Sequence, residues 1–133
     1  MVILFDRFNL SEDIFEILFA TNQQKIVAKE LTKYLFVKKG EITKSEMSTF
    51  ATLLHDGKYE TTLEDGEYKG KKVRLSYNKR QFYDRILTPM KSMGMIDYDL
   101  YKKTYKITVK LDSDLQKIGS MWTVYVRKMK NLE

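Results

Sequence analysis

The sequence predicts an α+β domain that is mostly helical, with a β-hairpin followed by a long C-terminal helix. Three observations predict it. Apolar residues recur at helical spacing over several segments that open on capping residues. Between Ile96 and Val109 the pattern changes to alternation around a polar turn, as in a hairpin. From Leu111 to Met129 an apolar stripe then repeats in steps of four and three.

A chain of 133 residues, 43% of them hydrophobic, is the size of one domain around one core. No apolar run approaches the roughly 18 residues of a membrane span. The opening Met1-Val2-Ile3-Leu4-Phe5 is apolar but runs into Asp6-Arg7. It lacks the basic leader and small-residue cleavage site of a signal peptide. With no cysteine there is neither a disulfide nor a thiolate metal site. A cytoplasmic protein with no membrane partner is the expectation.

Taken in order, Ser11 is a plausible cap for a first helix, because Glu12 and Asp13 suit its positive end. Ile14, Ile17 and Leu18 give its apolar face, and an end near Ala20 is expected. Thr21 or Asn22 caps a second helix to about Val37, with Ile26, Val27, Leu31, Tyr34 and Leu35 on one stripe. Lys38-Lys39-Gly40 is a basic last turn followed by a stop. These two helices make up residues 1–40. Glu41-Ile42 reads as a short connector. Thr43-Lys44-Ser45-Glu46 is a capping box, and Met47, Phe50, Ala51 and Leu54 line the third helix. His55-Asp56-Gly57 ends it. Residues 58–75 lose helical periodicity; Tyr59, Thr61 and Leu63 alternate before Asp65-Gly66, a turn signal, and Val73 and Leu75 alternate after it, which fits a hairpin or an ordered loop.

A fourth helix is expected over about 78–92, with Phe82, Ile86, Met90 and Met93 buried. Pro89 lies inside it and predicts a kink, or a boundary near Leu87. Gly94 ends the segment. Ile96, Tyr98 and Leu100 then share one side of a strand, and Tyr105, Ile107 and Val109 one side of the next. Tyr101-Lys102-Lys103-Thr104 is the turn between them. Asp112 or Ser113 caps the last helix, placed at about 113–130.

Charge is distributed unevenly along this framework. The formal net charge is +6, yet residues 66–110 alone hold twelve Lys and Arg against four Asp and Glu. A basic segment in an otherwise near-neutral chain points to a face for a polyanion; a lysine-rich solvated surface gives the same count. If Phe82, Ile86, Met90 and Met93 face inward, then Asn78, Gln81, Asp84, Arg85 and Thr88 face outward. Asn and Gln match the edge of adenine and Arg that of guanine, while Lys79 and Arg80 suit phosphates. Asp84 repels phosphate, so it reads a base, pairs with Arg80 or Arg85, or faces elsewhere.

The order from Thr43 onward resembles the winged helix-turn-helix superfamily. The resemblance rests on Thr43-Lys44-Ser45-Glu46 opening one helix. It rests also on the run from Leu87 to Ile96, Leu-Thr-Pro-Met-Lys-Ser-Met-Gly-Met-Ile, which looks like a recognition helix passing into its wing. It implies one winged-helix domain over 1–133, with the helix-turn-helix and wing at 43–108 and an insertion at 58–75. It implies double-stranded DNA as partner: the fourth helix lies in the major groove, and Lys102 and Lys103 of the wing reach the flanking backbone or minor groove. Lys71, Lys72 and Arg74 extend the track from the insertion. The alternative is a winged-helix module that meets a protein or RNA.

The C-terminal stripe has two readings. Leu115, Ile118, Trp122, Tyr125 and Met129 either pack on the first two helices or pair with a second copy. The arrangement is similar to dimeric regulators of the MarR and PadR type, which implies a homodimer over residues 111–130. No catalytic constellation stands out. His55 is the only histidine and sits at a helix end, and no Gly-rich phosphate loop or paired metal-ligand spacing is present. The expectation is a non-enzymatic transcription regulator that needs no cofactor and shows no small-molecule effector site; carboxylate catalysis has no pair to recommend it.

Overall fold

Caps, an apolar period and a few glycine stops divide the chain into the elements of a computed structural model that describes residues 5–63 and 69–132. In order they are α1 (Ile14–Leu18), α2 (Asn22–Val37), β1 (Glu41–Thr43), α3 (Lys44–His55), β2 (Tyr59–Thr62) and β3 (Lys72–Leu75). There follow α4 (Lys79–Phe82), a π turn (Tyr83–Leu87), α5 (Thr88–Ser92), β4 (Ile96–Asp99), β5 (Thr104–Ile107) and α6 (Lys110–Lys130). The fold is the expected α+β class, mostly helical and winged-helix-like, with a β-hairpin wing and a long C-terminal helix.

Local chemistry explains most boundaries. Thr21 caps α2 by accepting from the Gln24 amide at 3.1 Å. Lys39 and Gly40 take positive φ at its end, where the Gly40 amide donates to Leu35 O. Both halves of the capping box at α3 are present: Thr43 Oγ1 accepts from Glu46 N, and Glu46 Oε1 accepts from Thr43 N. The α1 cap differs from expectation. Asp13 accepts from the Phe15 amide and is the cap, while Ser11, two residues earlier, accepts from the Asp13 amide. The helix stops at Leu18, before Ala20.

Glu41 and Ile42 are more than a connector. They pair with Lys106 and Tyr105, so β1 completes a three-stranded antiparallel sheet in the order β1-β5-β4. Ile42 is buried beneath it. The wing strands are shorter than the alternation predicts. Leu100 falls in the turn and is exposed, and Val109 leaves β5 to become the residue before α6. α6 therefore opens at Lys110 with no side-chain cap; Asp112 and Ser113 lie within its first turn. Asp112 there accepts from Gln116, and Ser113 donates to Lys110 O.

Residues 79–92 form one continuous helix of changing pitch. The Thr88 amide donates to Tyr83 O, a five-residue step, immediately before Pro89. Proline supplies no N–H and crowds the carbonyl four residues back; widening the preceding turn relieves that contact. The wider turn also rotates Leu87 inward, so the buried face is Phe82, Ile86, Leu87 and Met90, with Met93 half-buried.

The core joins these parts through Phe50. Its ring lies 5.1 Å from Tyr34 of α2, 4.9 Å from Tyr59 of β2 and 5.5 Å from Phe82 of α4. Leu31, Leu35, Met47, Leu54, Ile86 and Met90 close around it with essentially no exposure.

The start of α6 rests on bare backbone. Gly94 takes φ +79°, its carbonyl accepts from the Leu111 amide at 3.1 Å, and a Cβ there would meet Leu111 N at 2.8 Å. Gly94→Ala is expected to lose about 1–3 kcal/mol of unfolding free energy in urea titration, through strain and the displaced helix start. An unchanged midpoint would show that α6 does not depend on this contact.

Candidate nucleic-acid interface

The outward face of residues 78–92 is built by capping at one end and by the sheet at the other. The Asn78 side-chain oxygen accepts from Gln81 N at 3.1 Å, so the cap uses its oxygen and not its amino group. His55 Nδ1 accepts from the Lys79 amide at 3.2 Å, which ties the end of α3 to the start of α4 and gives the histidine a structural task. At the far end the Lys91 ammonium lies 5.8 Å and 6.0 Å from the ring centres of Tyr98 and Tyr105 in the wing.

Asn78, Arg80, Gln81, Asp84, Arg85 and Thr88 are all exposed. Asp84 pairs with Arg80 at 3.8 Å, an i,i+4 contact at the surface. Gln81, Arg85, Thr88 and the Asn78 amino group carry further donors on that face. Lys79 lies elsewhere: its ammonium donates to Thr52 Oγ1 at 3.0 Å and meets Ser48 Oγ at 3.5 Å, so it clamps α3.

The wing tip is a hydrogen-bonded turn. Asp99 Oδ1 accepts from the amides of Tyr101 and Lys102, and the Lys102 amide bond is the leading reason its pKa lies below the usual carboxylate value. Lys103 takes φ +53°, and its carbonyl accepts from Lys44 N at 2.9 Å. Lys102 and Lys103 thus project beside the first residue of α3, which makes the exposed Lys44 a neighbour that sequence reasoning missed. Only the β1–β5 pairing reveals it. Leu100 and Tyr101 crown the same turn, and Tyr101 is 98% exposed. The alternation pattern places Leu100 on one side of a strand with Ile96 and Tyr98, because a period of two does not say where a short strand stops.

The excursion over residues 58–75 leaves and returns at one place. Gly57 lies against Ser76, and the Tyr77 amide donates to Leu54 O at 2.9 Å. α3 and α4 therefore meet despite the long excursion between them. Of the two readings of this segment it is the hairpin, with Tyr59 paired to Leu75 and Thr61 to Val73. The Asp65-Gly66 turn lies outside the described residues. The hairpin lies along α2. Thr61 Oγ1 donates to the buried Glu30 carboxylate at 2.8 Å, and Lys33 donates to Thr62 O at 3.1 Å. Lys71 and Lys72 sit across from Leu63 and Thr62, so they lie at this α2 end of the hairpin. Lys72 and Arg74 both pair with Glu60, at 3.5 Å and 3.0 Å, which neutralises part of their charge. The five stripe residues of α6 stand apart from all of this: Leu115 is half-buried, and Ile118, Trp122, Tyr125 and Met129 are exposed.

No protein-family model matches the chain, and no curated protein or solved structure matches it. Among the described residues, no helix is long and apolar enough to cross a membrane.

Burial, and then the adjacent Glu30 charge, push the Tyr59 phenol up to about 12. A raised folded-state pKa favours the protonated fold. The stabilisation is complete below the unfolded value near 10 and is lost as pH rises through about 12. Urea midpoints should fall across that window, and the fall should shrink in Tyr59→Phe. An equal fall in both proteins would remove Tyr59 as the cause.

Proposed function

We propose that the protein is a winged-helix regulator of the MarR and PadR type that binds duplex DNA sequence-specifically as a cytoplasmic homodimer and catalyses no reaction. The observation that carries this reading is the exposed row Gln81, Arg85 and Thr88 on a helix held between α3 and a lysine-tipped wing. A helix of this kind suits the major groove, and Arg85 suits a guanine edge. Lys102, Lys103 and Lys44 supply phosphate contacts beside it. The twelve Lys and Arg of residues 66–110 provide the long-range attraction. Two copies joined through α6 would present two such helices to a two-fold symmetric site.

A second reading is favoured by the wing tip. Leu100 and the almost fully exposed Tyr101 suit an apolar partner surface, or a base stacked from single-stranded RNA. In that case the protein is an interaction module.

Fluorescence anisotropy with a labelled random duplex at low salt separates the two. For DNA binding, affinity should fall about a thousandfold between 50 mM and 200 mM salt if roughly six phosphates are neutralised. Arg85→Ala should relax preference among sequences recovered from a random pool by about 1–3 kcal/mol at one base pair. Lys102→Ala with Lys103→Ala should weaken all duplexes alike and lower the salt slope by about two. No binding to any duplex at low salt would end the DNA reading. Tight binding to single-stranded RNA alone would favour the second.

For the homodimer, sedimentation of the native chain should give a dimer and Trp122→Asp a monomer. A native monomer would end that part of the proposal.

A further inference from the structure

α6 contains 21 residues, about 31 Å of helix at 1.5 Å per residue, and none of them is buried. Among the described residues, its first turn is what the rest of the chain holds, through Leu111 against Gly94 and a 2.6 Å ion pair from Lys110 to Asp97. Beyond that, the stripe Ile118, Trp122, Tyr125 and Met129 faces solvent. Trp122 and Tyr125 stack on each other 6.0 Å apart, with Trp122 67% exposed. So large an apolar stripe marks an association surface. The question left open by a homodimer is how the two helices run.

Charge on the flanks of the stripe decides it. Acidic residues, Asp112 and Asp114, open the helix; Arg127, Lys128 and Lys130 close it. Each set suits the helix's own dipole, but Asp114 and Lys128 also share a finer relation. Each immediately precedes a stripe residue, Leu115 and Met129, so both lie on the same flank of the seam. In an antiparallel pair this flank meets its own counterpart on the other helix. In a parallel pair it meets the opposite flank, where Asp114 would face Gly119 and gain nothing.

We propose that a second copy of this chain covers the stripe with its own α6 running antiparallel. Asp114 of each copy then meets the partner's Lys128. Ile118 faces the partner's Trp122, Leu115 faces the partner's Tyr125, and Leu111 faces the partner's Met129. Two further features fit this register. Gly119 falls at the centre on the other flank, and a Cβ there would meet nothing within 4 Å. A glycine in mid-helix costs roughly 1 kcal/mol relative to alanine, and close approach of two helices repays it. At the foot of α6 lies an apolar hollow of about 250 Å³ lined by Ile14, Phe15, Met95, Val109 and Leu111. The antiparallel register brings the partner's Met129 and Leu132 to this hollow. Val109 and Leu132, both exposed in the single chain, are covered together. The second copy thus completes a site that one chain leaves open.

This inference rests on the homodimer reading, and its test separates the two. The chain has no cysteine, so introduced ones report without background. Leu115→Cys and Tyr125→Cys chains, mixed and mildly oxidised, should form a covalent heterodimer, while neither crosslinks alone. Asp114→Lys should raise the dimer dissociation constant by about tenfold in sedimentation, as should Lys128→Asp, because each replaces two attractive contacts with two repulsive ones. The double variant should return to within about threefold of the native chain. Efficient crosslinking of Leu115→Cys alone, or failure of the double variant to recover, would overturn the antiparallel arrangement while leaving a dimer. A native chain that sediments as a monomer and crosslinks in no combination would overturn the homodimer itself.

Discussion

The ring of Phe50 is the contact on which the other elements depend. It lies on α3, yet it touches Tyr34 of α2, Tyr59 of the β2–β3 hairpin and Phe82 of the composite helix. Three segments far apart in the chain meet at one side chain with no exposed surface. Offset and edge-on ring contacts of this kind have angular preferences as well as attraction. They set how the helix bearing Arg85 sits on α3, and the alignment of the outward row follows from that. Polar ties then tighten the joint: His55 to the Lys79 backbone, Lys79 to Thr52, and Tyr77 to Leu54.

The excursion between α3 and α4 shows how a helix pair can stay in contact across a long connection. Loop closure grows only slowly more costly with length, and here the two ends of the excursion are neighbours already. The hairpin adds Tyr59 to the core and sets Thr61 against the buried Glu30 of α2. That carboxylate would be expensive to bury alone. Its hydrogen bonds from Thr61 and Tyr59 and the nearby Lys33 ammonium stabilise it in place. The hairpin is therefore fastened to the body of the domain, and its lysines sit by α2 and Glu60.

Several features were legible in the residues alone because they arise from neighbours in sequence. The capping box at Thr43 and Glu46, the stop at Gly40, the pairing period of 59–63 with 73–75 and the outward row from Asn78 to Thr88 all follow from local hydrogen bonding and periodicity. The errors share a cause. Ser11 and Asp13 both had the chemistry of a cap, and the choice depended on which carboxyl or hydroxyl met the free amides. Leu87 lies off the spacing of four that marks Phe82, Ile86 and Met90, and the π turn before Pro89 rotates it inward. Glu41 and Ile42 are too short a run to read as a strand without β5 beside them.

The sequence by itself determined which residues are apolar together, where helices can start and stop, and that positive charge collects between residues 66 and 110. Only the tertiary structure decided what each face meets. Lys79 turned from a surface cation into a clamp on α3, Lys44 came to lie at the wing tip, and the stripe of α6 was left uncovered. The physical reason is that periodicity reports the direction a side chain takes from its own element. What covers that side chain depends on contacts between residues distant in the chain, and those are settled only when the elements pack.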